Sequence, residues 1–158
     1  MFKKILVPLD GSELAARVLL QVTDLAKTQD AQVTLLSVYP DWGKPASEEV
    51  KEFIENEAKK CESYLATAAK ELEAQGLKVA AACVKGEPAR EIIAYADENG
   101  MDLIAMATHG MGEVAWVLGS VAEKVVSHAP VPVLLFRVLG AKPLKKADFL
   151  DLMERGLP

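Results

Sequence analysis

The sequence predicts an α/β protein whose core is an open, doubly wound, five-stranded parallel sheet. Three observations point there. Short apolar runs, several rich in β-branched residues, recur five times along the chain. Segments with apolar residues at helical spacing separate them, and Gly, Pro or Asp turns punctuate the joins. Strands alternating with helices make β-α-β units, and right-handed crossovers lay the helices on both faces of the sheet. The 158 residues suit one domain. A globule of that size buries about 70% of the surface its unfolded chain exposes, enough for a self-supporting core.

Lys3 to Leu9 reads as the first strand, ended by Asp10-Gly11-Ser12. Ser12 can cap a helix that carries Leu14, Val18, Val22 and Leu25 on one stripe, widened by Leu19 and Ala26. Val33 to Tyr39 is nearly continuous in apolar residues, the pattern of a strand buried on both faces. Pro40 to Ser47, with Pro45, Gly43 and Trp42, is a loop. A long helix is expected from Glu48 to Gln75, with Val50, Ile54, Cys61, Leu65, Ala68 and Leu72 on its stripe and Gly76 at its C-terminal stop. At 1.5 Å per residue it would run about 42 Å, longer than a small domain, so its first turns are expected to fray or move.

Val79 to Val84 is the third strand. Gly86-Glu87-Pro88 opens a helix that turns Ile92, Ile93 and Ala96 inward and ends at Asn99-Gly100. Leu103 to Ala107 is the fourth strand, and it runs into Thr108-His109-Gly110-Met111-Gly112. Gly119-Ser120 starts a helix through Val121, Val125 and Val126, and Pro130 to Val138 is the fifth strand. Pro130 and Pro132 remove donors from one side of that strand, which places it at a sheet edge. So apolar an edge needs cover, from the tail or from a second subunit. Residues 1–138 are expected to form the domain and 139–158 a C-terminal extension. In that extension Leu144, Phe149, Leu152 and Met153 fit a short amphipathic helix, packed on its own domain or on a partner.

Composition narrows the function classes. A net charge of −5 and the lack of a basic stripe with interleaved aromatics argue against nucleic acid as a partner. The longest apolar stretch, Ala129 to Phe136, holds two prolines and falls far short of the roughly 20 residues a membrane span needs. Lys3-Lys4 precede an apolar run as in a signal peptide, but Asp10 and Glu13 interrupt it. A cytoplasmic protein without membrane contact is expected. Cys61 and Cys83 form no C-x-x-C pair and are expected to be buried, inert thiols in a reducing compartment.

In an open parallel sheet, ligands sit beyond the carboxyl ends of the strands, where the strand order reverses. Asp10-Gly11-Ser12 and Thr108-His109-Gly110-Met111-Gly112 follow the first and fourth strands, and Gly119-Ser120 opens the next helix. Glycines let backbone N–H groups approach a phosphate, and a helix start adds unpaired donors. Asp10 could accept from an adenine amine or a ribose hydroxyl, and His109 could donate to a phosphate. The same residues also make an ordinary turn with a helix cap. There is no G-x-x-x-x-G-K-[ST] loop, and Ser120 lacks the G-x-S-x-G frame of a nucleophile, so no catalytic residue is assigned. His109 and His128 have no cysteine or acidic set around them, so no metal ligand is assigned either.

Four stretches in order resemble the universal stress proteins: Lys4 to Ser12, Gly86-Glu87-Pro88 with Ile92-Ile93, Asp102 to Gly110, and Leu118 to Leu134. The resemblance spans about residues 1–138. It implies a Rossmann-like sheet of strand order 3-2-1-4-5, a homodimer joined through the fifth strand (residues 130–138), and ATP, with Mg2+, as a regulatory ligand. The implied site residues are Pro8, Asp10, Val38, Ala107, His109, Gly110, Gly112, Gly119, Ser120 and Val121. Two departures stand out against the family pattern of Gly, two residues, Gly, nine residues, then Gly and Ser or Thr. Ala107 replaces the first Gly, and only eight residues, Met111 to Leu118, separate Gly110 from Gly119. Glu113 also puts negative charge where the family tends to be cationic. The expected function is a stress-response module that binds ATP or another adenine nucleotide without efficient hydrolysis. The alternatives are a dimer acting only through protein contacts, its phosphate loop having degenerated, and a small enzyme of the adenine-nucleotide α-hydrolase group.

Overall fold

The structure is a computed structural model that describes residues 1–109 and 118–138; Gly110, Gly112, Glu113 and the expected tail helix lie outside them. Five strands, β1 (Lys4–Pro8), β2 (Gln32–Tyr39), β3 (Lys78–Lys85), β4 (Leu103–Ala107) and β5 (Val133–Phe136), form one parallel sheet in the order β3-β2-β1-β4-β5. The helices are α1 (Glu13–Ala16), α2 (Val18–Gln29), α3 (Glu48–Glu73), α4 (Pro88–Glu98) and α5 (Ser120–His128). Expected fold class and strand order are both observed.

Alternation along the strands divides the core into two layers. Ile5, Val7, Val33, Leu35, Leu103 and Ala105 face α2 and α3, which contribute Val18, Val22, Ala26, Leu65, Ala68 and Leu72. Leu6, Leu36, Ile104 and Met106 face α4 and α5, which contribute Ile92, Ala96, Ala122 and Val125. The central strands β1 and β4 are buried on both sides, which is why they read as unbroken apolar runs.

Element bounds shift by one or two residues in several places, and four differences from the sequence expectation stand out. The first helix is two: Ser12 Oγ accepts the Ala15 N–H at 3.1 Å to start α1, and α2 begins anew after Arg17. Val18, Val22 and Ala26 are buried as expected, while the Leu14 side chain lies outside what is described. The third strand gains one residue at each end. The fifth is shorter than Pro130 to Val138, because the two prolines precede it: Pro132 has no N–H to give the ladder, although its carbonyl accepts the Ile104 N–H at 3.0 Å.

The fourth difference concerns the cysteines. Cys61 on α3 and Cys83 on β3 are joined in a disulfide, their Cα atoms 6.2 Å apart, within the usual span of such bonds. They are half-buried and are not the inert free thiols that the sequence suggested. The phase of α3 turns Cys61 down onto the sheet just where β3 turns Cys83 up.

Candidate functional site

Beyond the carboxyl ends of β1 and β4 lies a cavity of about 230 Å³. It stands at the switch point: β1 is the central strand, with β2 on one side and β4 on the other, and the chain crosses to opposite faces from the two. The floor and walls are apolar. Leu36, Val38, Ile92 and Met106 line it from the two strands and α4, and Val121 and Ala122 line it from the first turn of α5.

At the rim, Asp10 is held by a local turn. Its Oδ1 accepts the Ser12 N–H at 2.9 Å and also the Ser12 hydroxyl, while Gly11 between them adopts φ +82°, a left-handed conformation natural to glycine. The carboxylate is exposed and is the one acidic group lining the cavity among the described residues. Its charge reaches Tyr64 on α3: burial pushes the Tyr64 phenol pKa up, and the Asp10 carboxylate adds to that. The Tyr64 hydroxyl is buried with no hydrogen-bond partner among the described residues.

On the opposite rim His109 is 5% exposed, and its Nδ1 shares a hydrogen bond with Thr108 Oγ1 at 2.7 Å. Gly119 is the N-cap of α5, at φ −58° and ψ 144°, and makes no side-chain cap hydrogen bond.

Of the residues anticipated from sequence, Pro8, Asp10 and Val38 line the cavity from the β1–β2 side, and Ala107, His109, Gly119 and Val121 from the β4–α5 side. Ser120, the exposed first residue of α5, stands between two lining residues without lining the cavity itself. Gly110 and Gly112 lie outside the described residues. Thr108, part of the loop expected there, also lines it, whereas Leu36, Ile92 and Met106 were not anticipated. These three carry the spacing of core positions, and in sequence a core residue and an apolar cavity wall look alike. An apolar slot with a hydrogen-bond acceptor at one rim and a helix start at the other can take a flat heterocycle bearing an anionic group.

His128 ends α5 with Nδ1 against the Lys124 carbonyl at 3.0 Å. No cluster of three metal-ligating side chains occurs among the described residues. No helix among them is long and apolar enough to cross a membrane.

The universal stress protein family model matches residues 1–137. Universal stress protein MJ0531 of Methanocaldococcus jannaschii is 34% identical over 153 residues, covering 92% of this chain and 86% of that protein. The solved structure of MJ0577, from the same organism, superposes with a TM-score of 0.81 at 32% identity, over 89% of this chain and 99% of that one. Two further solved structures share the fold: a universal stress protein in complex with cAMP (TM-score 0.67, 21% identity, 87% of this chain and 98% of that one) and one from Archaeoglobus fulgidus in complex with dAMP (0.62, 23%, 85% and 97%). By the match along nearly its whole length and by its sheet order, the chain belongs to the universal stress protein family.

Proposed function

We propose that this chain is a regulatory module that binds an adenine nucleotide in the cavity between β1 and β4. The observation that carries the reading is the cavity itself. A slot walled by Val38, Ile92 and Met106 suits a purine ring, the Asp10 carboxylate at its rim suits an amine or hydroxyl donor, and the first turn of α5 suits a phosphate. The cAMP and dAMP complexes of two proteins of this fold support the ligand class. ATP with Mg2+ is the form we assign, held without efficient turnover, and the metal would sit on phosphate oxygens. Of the residues assigned to this role, Ser120 and the loop glycines Gly110 and Gly112 would meet the phosphates.

The module acts as a cytoplasmic homodimer joined along β5, with residues 1–138 as its working unit and 139–158 as an extension. The apolar edge supports the dimer: Leu134, in the middle of β5, is 37% exposed. A second reading, a dimer acting only through protein contacts, is favoured by Ala107 and by the eight-residue loop before Gly119.

Mass spectrometry of the natively purified protein tests the first reading. A co-purified adenine nucleotide at a substantial fraction of the protein is expected. Protein that carries none, and takes up none when incubated with ATP, ADP and AMP, would overturn it in favour of the second.

A further inference from the structure

We propose that the Cys61–Cys83 bond is a reversible latch holding the first half of α3 to the sheet, so that thiol reductants release residues 40–60. Cys61 stands near the middle of α3. On its C-terminal side Leu65, Ala68 and Leu72 are buried. On its N-terminal side no residue from Glu48 to Lys60 is buried, and Val50 and Phe53 are 37% and 50% exposed. The bond therefore marks the border between the seated turns of the helix and the overhanging ones.

Ile54, Glu57 and Ala58 are half-buried, and little else ties the overhang down among the described residues. The Lys51–Glu48 and Lys60–Glu57 ion pairs lie within the helix itself. Phe53 meets Trp42 edge to face at 5.2 Å, but Trp42 belongs to the loop that would move with it. Asp41 reaches Lys85 on β3 at 3.6 Å, an exposed pair of the kind that contributes little.

The anchored end matters for the cavity. Cys83 lies in register with Ser37 on β2, and Cys61 Sγ is 4.0 Å from the Ser37 carbonyl oxygen. The next residue, Val38, is a wall of the cavity, and loop 40–47 leaves β2 one residue later. The latch thus fastens the helix beside the strand that shapes the ligand slot.

The chemistry is ordinary exchange. A thiolate of the glutathione class attacks one sulfur and releases the other cysteine, and a second thiol displaces the mixed disulfide. The protein gains two electrons and two protons as two thiols, and the reductant leaves as its own disulfide. Both cysteines are half-buried, so a small thiol can reach them. In the reducing compartment proposed above, disulfides are as a rule transient and redox-sensing.

The test is hydrogen–deuterium exchange on the full chain equilibrated with oxidised or with reduced glutathione, the pairing state being read by thiol alkylation and mass spectrometry. The expected result is a bond that opens in reduced glutathione and reforms in oxidised, with exchange over residues 48–60 roughly tenfold faster or more in the reduced form, read at labelling times over which 65–73 and the strands stay protected in both forms. The Cys61→Ser/Cys83→Ser variant should match the reduced protein in both buffers. Exchange unchanged by reduction, exchange that rises evenly across the domain, or cysteines that stay unpaired in oxidised glutathione would each overturn the proposal. None of these outcomes depends on whether the cavity takes a nucleotide.

Discussion

Gly119 donates its backbone N–H to the Thr108 carbonyl at 2.9 Å, tying the cap of α5 to the residue that follows β4. Thr108 in turn donates to the Phe136 carbonyl on β5 at 2.9 Å. Thr108 and Gly119, which flank the eight residues after Gly110, are therefore both pinned, and the proposed phosphate contacts depend on how many residues lie between them. One residue spans up to ~3.5 Å, more than the length of a hydrogen bond. Replacing Ala107 by Gly and inserting one residue after Met111 should therefore strengthen ATP binding. Two regained hydrogen bonds to charged oxygens, each worth roughly 1.5–3 kcal/mol, amount to a hundredfold or more in Kd by titration calorimetry. A repaired loop that binds no better would mean that loop length does not limit affinity.

The dimer prediction rests on β5. Leu134 is exposed at the sheet edge, so Leu134→Lys should place a charge in the subunit interface at little cost to the fold. Sedimentation velocity should show a dimer for the wild-type chain and a monomer for the variant. A wild-type monomer, or a dimer indifferent to the lysine, would move the interface elsewhere.

The Asp102 carboxylate joins the starts of β1 and β4. One oxygen accepts the N–H groups of Lys3 and Lys4, both at 2.8 Å, and these bonds, helped by nearby positive charge, hold its pKa below the ordinary 3.8. Protons thus bind the folded form more weakly than the unfolded one. The stability this contributes is complete above the unfolded pKa and is lost as pH falls through the folded one. Asp102→Ala should melt below the wild type at pH 7, and the gap should close as the pH drops below about 3.8. A gap constant with pH would mean that the carboxylate's charge is not what the residue supplies.

Under non-reducing conditions Cys61→Ser should destabilise the fold. The bond closes a loop across a sequence separation of 22, for which restriction of the unfolded chain is worth about 3 kcal/mol. Denaturant titration should show that difference without reductant and lose most of it in excess dithiothreitol. Equal midpoints in both buffers would contradict it.

Much of the fold was legible because local and global signals agree. Ile5 to Val7 and Leu103 to Met106 are apolar without interruption because both faces of β1 and β4 are covered, and Gly11 and Pro88 mark turns that only certain backbones allow. What could not be read depends on relations between elements. Nothing in the spacing of Cys61 and Cys83 tells that the phase of α3 and the register Ser37–Cys83 bring them together. The break at Arg17 falls inside one continuous apolar stripe. At the site, Asp10 and Gly119 were legible because polar or glycine residues at strand ends and helix starts stand out, whereas Ile92 and Met106 carry the same apolar signal in a wall as in a core.

The central claim is that the β1–β4 cavity binds adenine nucleotides, and ligand-dependent thermal unfolding of the wild-type chain tests it most directly. A nucleotide present at a hundredfold excess over its Kd should stabilise the fold by about 2.7 kcal/mol. The account predicts a clear upward shift in Tm with ATP and Mg2+, ADP or AMP, and its loss in Asp10→Ala and Gly119→Val proteins that still fold. Melting curves left unmoved by millimolar concentrations of all three nucleotides would contradict it.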